Sequence, residues 1–327
     1  MFLEQANEGN NDTGRWVAMI IVLLIVTLLF GAMPLQLLIS VRMSENPALQ
    51  PNPENHLDLA AYDIGPITGF ILVMIPFVLG LVTMLLMIRP IHERPMLSVI
   101  TAFPRFRWKK FFWGAKVWLI LIAAFSLIAT ITGFQKIELQ FNPDTLIKLL
   151  GFSILLIPLQ AGFEEVLFRG YLMQGFSRIF KYKWLTLLLT SLIFGGLHYF
   201  NPEVKESGAL IILPQYILVG IVFGVCTIMD DGIEMAWGMH TINNIFLVVF
   251  ITQDSSALQT PSLFRITEFN PVFDLIALLG ASTLFILIAH RRLKWPKWTT
   301  ILARVDYPAS GEEVKIDYQN DEYEEDD

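Results

Sequence analysis

Eight long apolar stretches restrict what this chain can fold into. Each is close to, or longer than, the roughly 20 residues that a helix needs to cross the hydrocarbon core of a bilayer. Lipid offers the backbone no hydrogen-bond partners, so spanning segments of this kind are expected to be helices. We therefore predict an all-α, polytopic membrane protein with spans at 17–40, 66–88, 112–133, 146–172, 184–200, 209–229, 233–252 and 271–290.

The composition supports this fold class. Of the 327 residues, 54% are hydrophobic and 16% are charged, whereas soluble domains carry about 25% charged residues. The net charge of −7 arises at one end, because residues 306–327 contain ten acids and one lysine. Such a segment repels itself and is expected to be disordered and solvated. The single cysteine, Cys226, excludes an intramolecular disulfide and a zinc site built from several thiolates.

The distribution of Lys and Arg predicts the orientation in the membrane. With a cytoplasmic N-terminus, the inside segments hold 16 of these residues and the outside loops hold four. Basic loops stay on the cytoplasmic side, so both termini are predicted to be cytoplasmic, in the cell (inner) membrane. The basic, aromatic loop 102–113 suits the inner headgroup layer. Membrane lipids are therefore expected partners, and nucleic acid is not.

Three ionisable groups lie inside the fourth span: Glu164, Glu165 and Arg169. Each costs about 2.5–3.5 kcal/mol at the bilayer centre, so such groups need partners or a function. Glu165 and Arg169 are one helical turn apart and are predicted to form an ion pair. Glu164 is turned by about 100° around the helix axis and is left without that partner.

Two further spans carry polar side chains at membrane depth. His198 ends the fifth span, and His240 and Asn244 share one face of the seventh span. If spans four to seven form antiparallel hairpins, Glu164, His198 and Asn244 lie at similar depth, with His240 on their cytoplasmic side. We predict that these four side chains surround one cavity inside the membrane.

These polar residues form three ordered motifs. EEVLFR (164–169) fits the pattern EExxxR, FGGLH (194–198) fits FxxxH, and HTINN (240–244) fits HxxxN. Over about residues 145–250 the chain resembles the CPBP family of CAAX prenyl proteases and bacteriocin-processing proteins, also called Abi, which includes the Ras-converting prenyl endopeptidase. The resemblance implies an eight-helix intramembrane peptidase that uses no metal or other cofactor and whose site opens toward the cytosol.

The resemblance also implies roles for the residues of the first two motifs. Glu164 corresponds to the glutamate that activates water, and Glu165 and Arg169 correspond to the pair that supports it. His198 corresponds to the histidine that positions or activates the same water molecule.

In the third motif, His240 and Asn244 correspond to the pair that stabilises the oxyanion in this family. The chemistry of the residues agrees with these roles. A carboxylate can act as a general base on water, and a neutral donor such as Asn244 suits an oxyanion. The sequence contains neither GxSxG nor a suitable cysteine nucleophile, which favours activated water over covalent catalysis.

Two alternatives belong to other classes. Glu164, His198 and His240 could provide a two-histidine, one-carboxylate zinc site with an open position, although the zinc-peptidase motif HExxH is absent. A non-catalytic membrane protein, such as an immunity or scaffolding factor or a transporter, could use the same polar cavity. Many transporters consist of two related halves, and no internal repeat is evident here.

The chain is predicted to have four regions. Spans one to three and the basic loop occupy 1–144, a catalytic core of spans four to seven occupies 145–252, the last span and its basic flank occupy 253–305, and the acidic tail occupies 306–327. The expected substrate is a peptide or a lipidated protein: a prenylated C-terminus, a peptide precursor or the tail of a membrane protein.

Overall fold

Helices account for most of the protein. The computed structural model describes residues 1–49, 51, 58–253, 255–305 and 307. The predicted disorder of the acidic tail concerns residues that lie outside the described ones, Tyr307 excepted.

The first part of the chain builds four membrane-length helices. Its elements are a 3₁₀ turn (Phe2–Asn7), α1 (Thr13–Leu24), a π-helical stretch (Ile25–Gly31), α2 (Met33–Glu45), 3₁₀ turns (Leu59–Tyr62 and Met96–Val99), α3 (Pro66–His92), α4 (Trp108–Ile131), strand β1 (Gln135–Leu139), α5 (Pro143–Glu165), a second π-helical stretch (Val166–Leu172) and α6 (Met173–Phe180). One π-helical stretch leads from α1 to α2 through a single turn residue, Ala32, and the other connects α5 to α6 without a break.

The second part of the chain is also mainly helical. Its elements are α7 (Lys183–Leu197), α8 (Pro202–Ser207), α9 (Ala209–Asp230), α10 (Glu234–Ile245), a third π-helical stretch (Phe246–Phe250), strands β2 (Ile251–Gln253) and β3 (Phe264–Phe269), α11 (Pro271–Arg292) and α12 (Thr299–Leu302).

Each predicted span coincides with a helical stretch. Six stretches are long and apolar enough to cross a membrane: Thr13–Glu45, Pro66–His92, Trp108–Ile131, Pro143–Phe180, Ala209–Asp230 and Pro271–Arg292. The helices at the predicted fifth and seventh spans are shorter. The chain is thus a multi-pass membrane protein with six full-length candidate spans among the described residues, and the count of eight stays a prediction.

A small sheet, which the sequence analysis did not predict, lies in the connections after α4 and α10. β3 is central: it pairs antiparallel with β1, where Gln135 lies opposite Phe269, and parallel with β2, where Ile251 lies opposite Phe264. The connections 134–145 and 253–270 between predicted spans therefore contain strands, and the backbone hydrogen bonds of the sheet join the ends of α4, α5, α10 and α11.

The N-terminal turn is buried among the ends of the helices. The side chain of Phe2 is only 1% exposed, and Gln174 on α6 donates a hydrogen bond to the Phe2 carbonyl. Arg94 donates to the Gln5 carbonyl at 3.1 Å and to the Gln174 side chain at 2.8 Å. Burial lowers the pKa of Arg94 to about 10, so it holds this turn as a cation at neutral pH.

Helices α4 and α10 approach each other through two glycines. A Cβ atom on Gly238 would lie 2.0 Å from the Phe111 carbonyl oxygen, and one on Gly114 would lie 2.7 Å from the Met235 carbonyl oxygen. Only glycine allows this backbone contact, because any side chain would overlap the facing helix. The contact fixes α4 against the helix that carries His240.

Candidate active site

The first motif forms a buried ion pair. Arg169 donates to Oε1 of Glu165 at 2.7 Å, and both side chains are at most 2% exposed. Nδ1 of His240, from α10, donates to the same Glu165 oxygen at 2.7 Å. A guanidinium and an imidazole on one carboxylate reduce the cost of burying it, and they hold the His240 ring in one orientation.

Glu164 is more accessible than its neighbour. Its side chain is 13% exposed, whereas that of Glu165 is fully buried. Oε1 of Glu164 accepts a hydrogen bond from Gln160 at 2.7 Å, and Oε2 lies 3.5 Å from Nε2 of His240. The second distance is long for a hydrogen bond. His240 therefore stands between two carboxylates, held tightly by one and loosely facing the other.

Asn244 lies one helical turn beyond His240 and contacts the turn of α5 before Glu164. Its Nδ2 donates to Oε1 of Gln160 at 2.9 Å. The preceding residue, Asn243, donates to Oδ1 of Asn244 at 3.2 Å and accepts from the indole nitrogen of Trp118 at 3.2 Å. The polar faces of α5 and α10 thus meet over two turns, Glu164 facing His240 and Gln160 facing Asn244.

His198 is near this network but makes no hydrogen bond to it among the described residues. Its Nδ1 donates to the Phe194 carbonyl at 2.8 Å, and its ring stacks on Tyr216 with centroids 4.0 Å apart. The Phe194 ring lies 4.8 Å from the His198 ring and 6.1 Å from the His240 ring, centroid to centroid. Phe194 therefore contacts both histidines.

A π-helical stretch follows Glu165 directly, at Val166–Leu172. Such turns are rare, and they are frequent at functional sites because they change which side chains share a helix face. The ideal α-helical spacing assumed from the sequence does not hold beyond Glu165. The ion pair to Arg169 forms nevertheless, because the side chains reach each other across the wider turn.

The residues proposed as zinc ligands are not arranged as a metal site. Within the described part of the chain, no three His, Cys, Asp or Glu side chains are grouped so that they could hold a metal ion. Of the three proposed ligands, His240 faces Glu164, while the ring of His198 packs on aromatic side chains.

Three residues of the network were not predicted from the sequence: Gln160, Asn243 and Trp118. Gln160 could have been found, because it is a polar residue one turn before Glu164 on the same helix face. Asn243 is turned by about 100° from Asn244 on an ideal helix, so helical spacing gave no sign of their contact. Trp118 carried no signal, since nothing in its own span distinguishes its indole from an ordinary packing residue.

Comparisons with known proteins identify a family for this chain. A family model described as type II CAAX prenyl endopeptidase Rce1-like matches residues 145–246, which include all three motifs. No solved structure is significantly similar to the chain.

A curated relative extends the similarity beyond the motifs. The uncharacterized protein YyaK of Bacillus subtilis (strain 168) is 32% identical over 251 residues, which cover 75% of this chain and 83% of that protein. The similarity thus includes most of the bundle and not only the segment with the three motifs. With its matching family model and this relative, the chain belongs to the Rce1-like CAAX prenyl endopeptidase family.

Proposed function

We propose that the protein is an intramembrane endopeptidase that hydrolyses a peptide bond with water activated by Glu164. The observation that carries the proposal is the position of His240 between two carboxylates, 2.7 Å from Glu165 and 3.5 Å from Glu164. Membership of a CAAX prenyl endopeptidase family supports the same reaction class. A purely structural ion pair would not need a second, more exposed carboxylate on the same imidazole.

Glu164 is the general base in this mechanism. The carboxylate takes a proton from water as the water oxygen attacks the carbonyl carbon of the peptide bond. The same group then gives that proton to the amine that leaves, so protons balance over the reaction. Its hydrogen bond from Gln160 orients the carboxylate, and Glu165, already neutralised by Arg169, does not compete for the role.

His240 and Asn244 act on the oxyanion that forms at the carbonyl oxygen. One hydrogen of the Asn244 amide is used by Gln160, which leaves the second hydrogen for the oxyanion. Nε2 of His240 donates to the same oxygen when it is protonated. Removing one such donor typically lowers the rate by about 10²–10³.

His198 has a supporting role in the proposal. The Phe194 carbonyl accepts from Nδ1 of His198, so the hydrogen on this nitrogen is used and Nε2 is left to bind water. Stacking on Tyr216 and Phe194 fixes the plane of the ring. We assign His198 to positioning the attacking water molecule.

We further propose that eight helical stretches cross the cell membrane, with both termini and the opening of the site on the cytoplasmic side. The excess of Lys and Arg in the predicted cytoplasmic segments supports this orientation. The substrate is proposed to be a peptide or a lipidated protein, for which a prenylated C-terminus is one candidate, and it reaches the site from the cytoplasmic leaflet.

The experiment compares wild type with Glu164→Gln in two assays. Membranes from cells expressing each form are analysed for peptides by mass spectrometry, and purified proteins in liposomes receive a farnesylated fluorogenic peptide as a probe. The matched control is Glu138→Gln, the same change on an exposed residue of β1. We expect cleavage products that are present with wild type and with the control and absent with Glu164→Gln. Equal peptide profiles for wild type and Glu164→Gln would overturn the proposal.

A further inference from the structure

We propose that Trp118, Asn243 and Gln160 are positioning residues that hold Asn244 and Glu164 through a one-directional chain of hydrogen bonds. The inference rests on the proposed function for its catalytic consequence. It assigns a role in the site to α4, which lies before the segment that the family model matches.

The chain of hydrogen bonds has four steps and crosses three helices. Trp118 on α4 donates to Asn243 on α10 at 3.2 Å, and Asn243 donates to the side chain of Asn244 at 3.2 Å. Asn244 donates to Gln160 on α5 at 2.9 Å. Gln160 donates to Glu164 at 2.7 Å. Each amide accepts on its oxygen and donates from its nitrogen.

The two ends determine the direction of the chain. The indole nitrogen of Trp118 can only donate, so the neighbouring atom of Asn243 must be its oxygen. An ionised carboxylate such as Glu164 can only accept, so the neighbouring atom of Gln160 must be its nitrogen. Between these fixed ends an amide turned the wrong way would place two donors or two acceptors against each other. Only one arrangement of the three amides satisfies all four steps.

This arrangement has a consequence for catalysis. Asn244 must present its nitrogen, and not its oxygen, toward the α5 side of the site, where the second amide hydrogen can reach an oxyanion. Glu164 has one oxygen occupied by Gln160, so the other oxygen is left for water beside His240. Without Trp118 the amides lose one of the two end groups that fix their orientation.

The position of Trp118 suits this role. Its side chain is fully buried, and edge-on contacts with Phe223 and Phe285 hold the indole in place. The glycine contacts between α4 and α10 fix the distance between the two helices. A hydrogen bond of 3.2 Å across these helices depends on that distance.

The first test separates turnover from binding, and its substrate is the peptide that the comparison of wild type with Glu164→Gln identifies. We expect Gln160→Leu and Asn243→Leu to lower kcat by roughly 10- to 100-fold, the cost of misplacing a reacting group, with KM little changed. The kcat of the double variant should be no lower than that of the less active single variant, because both changes break the same chain of hydrogen bonds. The matched control, Gln215→Leu, removes a glutamine that donates to the Pro271 carbonyl outside the site, and its kcat should equal that of wild type.

A near-isosteric substitution tests the direction of the hydrogen bonds and not only whether the side chains touch. Asn243→Asp keeps an oxygen for Trp118 but cannot donate to Asn244 when ionised. We expect kcat to fall about as far as in Asn243→Leu. Each variant is compared only where its thermal unfolding midpoint stays near that of wild type. Wild-type kcat in folded Asn243→Leu, Asn243→Asp and Gln160→Leu would overturn the inference.

A spectroscopic measurement tests the chain without any substrate. In protein labelled with ¹⁵N-tryptophan, the indole signal that disappears in Trp118→Phe identifies Trp118. We expect that signal to shift in Asn243→Leu and to stay in Gln215→Leu. If the signal shifts while wild type cleaves no peptide, the hydrogen bond from Trp118 to Asn243 is supported and the proposed function fails. An unshifted signal in Asn243→Leu rejects the chain itself.

Discussion

Nδ1 of His240 lies 2.7 Å from Oε1 of Glu165, the same oxygen that accepts from Arg169. The first and third motifs are therefore joined by one carboxylate oxygen. Glu165 connects the charge of Arg169 to the orientation of His240. Changes at this pair should consequently affect both folding and chemistry, and these two effects can be separated.

Arg169→Met should destabilise the protein strongly. It leaves Glu165 as a buried charge that has lost its cation, and removing one partner of a buried pair costs about 3–5 kcal/mol. The thermal unfolding midpoint in detergent should fall clearly. Arg42→Met is the control, because the Arg42–Glu45 pair is exposed and such pairs contribute about 0–1 kcal/mol.

Adding Glu165→Leu to Arg169→Met should restore part of the lost stability, because it removes the uncompensated charge. The double variant should not cleave, because His240 no longer has the carboxylate that orients its ring. A double variant that cleaves like wild type would show that Glu165 has no part in the chemistry.

Gly238→Ala should destabilise the contact between α4 and α10. Its Cβ would lie 2.0 Å from the Phe111 carbonyl oxygen, and overpacking of this kind costs about 1–3 kcal/mol. Gly151→Ala is the matched control: it also lies within a helix, and its Cβ would meet no atom within 4 Å. The control should match wild type or exceed it, because alanine favours helix more than glycine by about 1 kcal/mol. Equal unfolding midpoints for both variants would contradict the close contact.

The orientation can be tested with introduced cysteines in a Cys226→Ser background. Thr267 and Thr299 are both exposed threonines, on β3 and on α12. In intact cells a membrane-impermeant maleimide should label Thr267→Cys but not Thr299→Cys. After lysis both should be labelled. The reverse pattern would place both termini outside and reject the proposed topology.

Chelators should leave cleavage unchanged. Among the described residues, Glu164, His198 and His240 do not form a group that could hold a metal ion, so the proposed reaction uses protein groups alone. Initial rates with EDTA and with 1,10-phenanthroline should equal the untreated rate. Inhibition that added Zn²⁺ reverses would favour the zinc-peptidase alternative.

Helical spacing predicted the local contacts of the candidate site. Glu165 and Arg169 pair as their i,i+4 spacing indicates, and Asn244 lies near the turn of α5 that precedes Glu164. The bond from His240 to Glu165 depends on how α5 and α10 pack, which helical spacing within one span does not determine.

The sheet was missed for a different reason. FRITEF (264–269) alternates apolar and polar residues only in part, and its partner β2 is three residues long. Short strands of this kind form because a neighbouring segment completes their hydrogen bonds, and β1, the longer partner, is more than a hundred residues away in sequence. Neither segment alone carries a pattern strong enough to distinguish a strand from a loop.

The same sheet restricts how the bundle can open. It ties the linker between α4 and α5 to the linker between α10 and α11, at the end of the bundle opposite the buried N-terminal turn. Separating these helices at that end would break backbone hydrogen bonds, and α4 and α10 are also held near their other ends by the glycine contacts. Any motion that admits a bulky substrate should therefore leave α4 and α10 together and displace helices that the sheet does not join.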